Sequence, residues 1–194
     1  MRGLVVSVSN RASAGVYEDR TGPVLTAGLE ALGFEVDGPV LVPDGEPVEE
    51  VLREAVATAY DVVLTSGGTG ITPTDRTPEM TARVLDVQVP GIPEALRAYG
   101  AAKGVPTAML SRGLAGVVGE TLVVNLPGSP GAARDALEVL GPVLSHAVAQ
   151  MGGSDHQPPP GTPPPPDSMG TKQGTAPAAQ SPAAEPGTAH GGGP

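Results

Sequence analysis

The chain has no cysteine among its 194 residues. That excludes disulfides, iron–sulfur clusters, thiolate zinc sites and cysteine nucleophiles. Histidine is almost as scarce, and only His146 lies ahead of residue 153. One histidine gives no basis for a histidine-rich metal centre or a Ser–His–Asp triad. Lysine occurs only at positions 103 and 172, and the formal net charge is −10. A protein that tracks nucleic-acid phosphates needs a basic face, and the sequence offers none. Long apolar runs are also missing. None approaches the ~20 residues required to span a bilayer. The opening stretch, Met1 to Ser9, is too short and too polar for a signal peptide. A soluble cytoplasmic protein with no membrane and no nucleic-acid partner is the expectation.

Glycine (28) and proline (23) are abundant but unevenly spread. Almost half of the prolines lie from Gly153 onward, in a stretch without Val, Ile, Leu, Phe, Tyr or Trp. Residues 1–152 are therefore expected to form one domain around a single core. Residues 153–194 read as a disordered Pro/Gly/Ala-rich tail. Its proline runs favour stiff polyproline II segments, serving for solubility or for docking. There is no internal repeat.

Within residues 1–152, strand and helix signals alternate. Gly3 to Ser9 reads as a strand. Val24, Leu25, Leu29 and Leu32 keep a helical spacing that stops at Gly33. Phe34 to Val42 reads as a second strand. Val48 to Ala59 fits one helix face, with Pro47 at the tolerant first position. Asp61 to Thr65 is a third strand, buried on both faces. Helices follow from Thr77 to about Leu85 and from Ile92 to Tyr99. Thr107 to Leu110 and Thr121 to Leu126 are expected strands, close enough in sequence to pair antiparallel. Ser129-Pro130 opens a helix to about Leu140, and Pro142 to Met151 forms another. The sum is a three-layer α/β/α sandwich with a mostly parallel sheet. In such sheets ligands bind beyond the carboxyl ends of the strands.

The loops at those ends are polar. Gly67-Gly68-Thr69-Gly70 can converge backbone N–H groups on an anion, or make a tight connection without a ligand. It is neither a Walker A loop nor a Rossmann fingerprint. Ser129-Pro130 offers an N-cap and a first helical residue. The end they form can take a phosphate or simply be capped. Asp44 and Asp75 can hold a hard cation such as Mg²⁺ or orient a nucleophile. Equally, Asp44-Gly45 is a common turn pair, and Asp75 can stabilise the helix after it. Arg11, Arg76 and Arg112 lie in the same set of loops. Glu94 suits the start of its helix, and His146 reads as structural. From residues alone, the inference is an α/β domain with a phosphate-bearing ligand, with Mg²⁺ one option.

Four segments then carry a resemblance. They are Ser7-Val8-Ser9-Asn10-Arg11 with Asp19 to Pro23; Thr65 to Pro78 (TSGGTGITPTDRTP); Pro90 to Glu94 with Leu110 to Gly116; and Val123 to Pro130 (VVNLPGSP). In this order they resemble the MogA/MoaB proteins of molybdenum cofactor biosynthesis. The resemblance implies a MoaB/Mog-like fold, usually a homotrimer. It implies Mg²⁺-dependent transfer of AMP from ATP to the terminal phosphate of molybdopterin, giving adenylylated molybdopterin and pyrophosphate. A transient contact with a molybdenum insertase is implied as well. Asp44 and Asp75 match the family's active-site aspartates and are assigned to metal and substrate positioning. Ser66, Gly67, Gly68, Thr69 and Gly70 would line the cleft. Glu94, Ser111 and Arg112 match positions on the pterin side, and Gly128 and Ser129 complete the site. Asn10 stands where many members have Asp. The family also holds paralogues without established transfer, so the alternative is a molybdopterin-binding carrier. A third reading is a nucleotide-binding scaffold acting through its tail.

Overall fold

The computed structural model describes residues 1–153; the expected tail lies outside the described residues. Six strands make one sheet in the order β2-β1-β3-β6-β5-β4. They are β1 (Arg2–Val8), β2 (Glu35–Val42), β3 (Val62–Ser66), β4 (Val87–Gln88), β5 (Ala115–Val118) and β6 (Thr121–Leu126). β2, β1, β3 and β6 run parallel, whereas β5 pairs antiparallel with both β6 and β4. The helices are α1 (Asn10–Ser13), α2 (Gly22–Ala31), α3 (Glu46–Ala57), α4 (Thr77–Ala82), α5 (Gly91–Ala102) and α6 (Pro130–Met151).

The pleat sorts each strand's side chains to opposite faces. Val5, Val62, Leu64, Val124 and Leu126 face one way and join Leu25 and Leu29 of α2 and Leu140 and Leu144 of α6. Leu4, Val6, Val8, Val63 and Val123 face the other way and join Val48 and Leu52 of α3 and Met80 of α4. The central strands are thus apolar at consecutive positions because both of their faces are covered. The sandwich has one core on each side of the sheet, where the sequence suggested a single core.

The helix ends have local causes. Asp19 accepts the N–H groups of Thr21 (2.9 Å) and Gly22 (3.0 Å), satisfying the start of α2. At its other end Gly33 takes φ 87°. The N–H of Phe34 donates to the Leu29 carbonyl and that of Gly33 to the Glu30 carbonyl. This is the Schellman arrangement, with Phe34 and Leu29 in one core.

Three expectations need correction. Thr107 to Leu110 is not a strand but part of a 3-10 helix, Pro106–Leu110, with no buried residue. A strand there would need a covered face, yet Met109 and Leu110 are exposed. The antiparallel partner of β6 is instead β5, joined through Gly119 at φ 55°. Secondly, the chain from Pro130 to Met151 is one helix with Pro142 inside it. Its buried stripe, Ala133, Ala136, Leu140 and Leu144, continues past the proline on one face. That packing holds the helix together despite one missing hydrogen bond. Thirdly, α1 and β4 form where the sequence reading left loops.

Candidate active site

The carboxyl ends of β1, β3 and β6 converge, and their loops meet at Gly67. Its N–H donates to the Leu126 carbonyl (2.9 Å). Its φ is 110°, and a Cβ there would collide with the Val8 carbonyl oxygen. A Cβ on Gly128 would stand 3.2 Å from the Gly67 Cα. Only glycine lets three strand ends close this tightly. Above them opens a cleft of about 1170 Å³.

Asp44 and Asp75 both pack onto the glycine loop. A Cβ on Gly68 would overlap the Asp44 carboxylate, and one on Gly70 would lie 2.8 Å from Asp75 Oδ2. Asp44 is tied down. Its Oδ1 accepts the Gly45 N–H (2.8 Å) and the Thr77 hydroxyl (3.2 Å), and its Oδ2 accepts the Arg76 N–H (3.0 Å). The Asp44 N–H donates to Asn10 Oδ1 (2.9 Å), so the Asn at that position supplies the acceptor its loop needs. Asp75 closes its own loop. Its Oδ2 accepts the Thr72 N–H (2.9 Å) and hydroxyl (2.7 Å). Among the described residues its Oδ1 has no hydrogen-bond partner.

The cleft brings together Asp44, Asp75, Ser66, Gly67, Gly68, Thr69, Gly70, Ser111, Gly128 and Ser129. Thr69 is buried and accepts from the Ser111 hydroxyl (3.3 Å), while Ser66 donates to the Pro127 carbonyl (3.3 Å). Ser129 caps α6 by accepting the Ala132 N–H (3.2 Å). The start of this 22-residue helix faces the cleft, with its dipole favouring an anion there. Three residues singled out from the sequence, Arg76, Glu94 and Arg112, do not line the cleft; Arg76 pairs with Glu46 (3.3 Å). Glu94 is exposed in the first turn of α5. Arg112 turns away toward the protein, donating to the Gly70 carbonyl (2.7 Å), the Asp75 carbonyl (2.7 Å) and the Glu79 carboxylate. Its hydrogen bond holds the Glu79 carboxyl below the ordinary carboxylate range.

Some cleft residues were not expected from the sequence, Arg97 and Arg20 among them. Arg97 reaches the cleft from α5 and donates to the Ser111 carbonyl (3.3 Å). The signal was present: Pro93, Leu96, Arg97 and Gly100 share one face at helical spacing and all line the cleft. Arg11, stacked over Tyr17, and Arg20 add two more cations. Against these three arginines stand five carboxylates: Glu18, Asp19, Asp44, Asp75 and Asp135. Asp19 accepts from Ser7 as well as capping α2, and Asp135 pairs with Lys103 at 3.5 Å. The ionisable side chains that line the cleft therefore carry net negative charge, and the glycine loop and the start of α6 line it beside them.

Residues 4–146 match the protein family described as "Probable molybdopterin binding domain". A molybdopterin adenylyltransferase of Haemophilus influenzae is 44% identical over 139 residues, covering 69% of this chain and 70% of the relative. A molybdenum cofactor biosynthesis bifunctional protein of Chlorobaculum tepidum is 39% identical over 157 residues, covering 80% of this chain. This chain spans about half the length of such bifunctional relatives. Among solved structures, the molybdopterin biosynthesis Mog protein of Mycobacterium ulcerans is 50% identical with a TM-score of 0.74. That match covers 77% of this chain and 98% of the other.

Proposed function

This chain belongs to the molybdopterin-binding domain family, and from that membership we propose that it adenylylates molybdopterin. An oxygen of the terminal phosphate of molybdopterin attacks the α-phosphorus of ATP. The new P–O bond forms as the bond to the β-bridging oxygen breaks, and the electron pair leaves with pyrophosphate. The attacking phosphate is already anionic at neutral pH, so no general base is needed. The observation that carries this reading is the convergence of Asp44 and Asp75 on one glycine loop, opposite the amide-rich start of α6.

The chain's part is alignment and charge control. Amides of the glycine loop and of the α6 start bind phosphate oxygens and hold them where charge develops. Arg97, Arg11 and Arg20 add cations at the cleft wall. Five carboxylates against three arginines still leave two phosphate-bearing substrates short of positive charge. A divalent cation fits that deficit. No group of three or more His, Asp or Glu suited to a metal occurs among the described residues. Two carboxylates against one glycine loop suit Mg²⁺, which takes one or two carboxylates and completes its shell from phosphates and water. Asp75, through its open Oδ1, and Asp44 would hold it. When bound, it polarises the nucleotide phosphates and offsets their repulsion. Ser66, Gly67, Gly68, Thr69, Gly70, Ser111, Gly128 and Ser129 would bind substrate. The family resemblance extends the proposal to a homotrimer, a cytoplasmic setting and a transient contact with a molybdenum insertase. Light scattering tests the first of these.

The test is one incubation with molybdopterin, ATP and Mg²⁺, assayed for pyrophosphate and for the adenylylated pterin. Dependence of both products on all components is expected. Molybdopterin binding without either product would overturn the transfer reading in favour of a carrier.

A further inference from the structure

The glycine loop does not end in the cleft. Between Gly70 and Asp75 the chain passes through Ile71, Thr72, Pro73 and Thr74, all exposed, with Ile71 and Thr74 still at the cleft rim. An exposed excursion of this kind gains little from packing, so its geometry rests on the Thr72–Asp75 bonds inside it and on what holds its neck. The two sides of the neck are the carbonyls of Gly70 and Asp75, and one side chain spans them. Arg112 Nε donates to Gly70 and Nη2 to Asp75, each at 2.7 Å. Nη1 pairs with Glu79 on α4. The Arg112 main chain joins the same structure, its N–H donating to the Thr69 carbonyl (2.8 Å).

We propose that Arg112, backed by Glu79, is a positioning residue that clamps the neck of the 70–75 loop. It thereby sets where Asp75 presents its open oxygen. This rests on the adenylyl-transfer reading for its catalytic consequence but not for the clamp itself. Three of the five guanidinium N–H donors, one on each nitrogen, are committed within the protein, and Arg112 is not among the residues that line the cleft. Its planar fork is what the neck requires. An ammonium is a single point and does not reproduce two divergent bonds to carbonyls five residues apart together with a carboxylate contact. Glu79 orients the fork from the opposite side.

The test uses the full chain carrying Arg112→Lys or, separately, Glu79→Gln. Amide hydrogen exchange over residues 70–76 is expected to quicken in Arg112→Lys while the sheet exchanges as before. In AMP transfer, kcat is expected to fall roughly 10–100-fold, the scale of a small misplacement of a reacting group. KM for both substrates should stay within about twofold, because no substrate contact is removed. Glu79→Gln keeps both carbonyl bonds and should show the same pattern more weakly. Unchanged exchange at 70–76 in Arg112→Lys would overturn the clamp, whatever the activity. A KM raised about tenfold at unchanged kcat would also overturn it, by making Arg112 a substrate contact. If the unaltered chain makes no product, the transfer reading fails, and exchange alone decides the clamp.

Discussion

Asp44 and Asp75 pack against the same glycine loop but carry different structural duties, and substitution should separate them. The Asp75 side chain bonds only within its own turn. Asp75→Asn is expected to abolish AMP transfer while unfolding stability stays within about 0.5 kcal/mol. An unchanged turnover rate would remove Asp75 from the site. Asp44 accepts from two backbone N–H groups and a hydroxyl on separate segments. Asp44→Ala should therefore lose activity and also cost about 1 kcal/mol of stability, the usual scale of a lost cap. Thermal unfolding of the two variants side by side checks both statements. The sequence made both aspartates visible as types and positions, because carboxylates at strand ends are unusual. It did not reveal which was tied down, since two of the three groups that Asp44 accepts from are main-chain N–H groups that carry no sequence signal. Arg112 had the same problem in reverse. Its residue type suggests an anion contact, whereas its bonds go to carbonyls thirty and more positions away.

At the scale of elements, two features of the helix pair α5–α6 invite tests. Pro142 is exposed inside α6 and lacks the N–H that would bond the Glu138 carbonyl. Pro142→Ala restores that donor without removing core packing. It should raise stability by up to about 3 kcal/mol, seen as a higher Tm. No change would mean that the helix already accommodates the ring without strain. Nearby, Glu138 accepts from the Tyr99 hydroxyl and from Lys103 (3.0 Å), clasping the two helices. The tyrosine bond first, and then the lysine, hold the Glu138 carboxyl below its ordinary value of 4.5. A carboxylate depressed on folding stabilises above its unfolded pKa and loses that effect as pH falls through the folded one. Glu138→Gln should thus melt below the unaltered chain at pH 7, and the gap should close as pH falls below 4.5 and through the lowered folded value. A gap of constant size would show that the clasp works through shape alone. The longer helices and the central strands β1, β3 and β6 were legible because their apolar residues follow the burial those elements have. The 3-10 helix was not, because Thr107 to Leu110 contains apolar residues that stay exposed. Its neighbours Gly104 and Pro106 were the better guide. β4 is two residues long and exposed, too short to leave any pattern.

For the whole molecule, the decisive point is where the parts of the site come from. The cleft draws on the ends of β1, β3 and β6, on α5, and on the start of α6. Both cores that fix those ends also lie within residues 1–153. Every group assigned to substrate or metal is therefore supported from inside that span. The transfer reading then makes a definite statement about shortening the chain. A protein ending at Gly153 should unfold with the same cooperativity and adenylylate molybdopterin at the full rate. The scaffold reading expects the opposite, since it assigns the function to the proline-rich segment. Comparing pyrophosphate release and adenylylated pterin for the full and shortened chains separates them. Equal rates would confine the chemistry to the sandwich. A shortened chain that keeps its melting transition but loses transfer would mean that residues after 153 contribute to the site, and the assignment of the cleft as self-sufficient would fall.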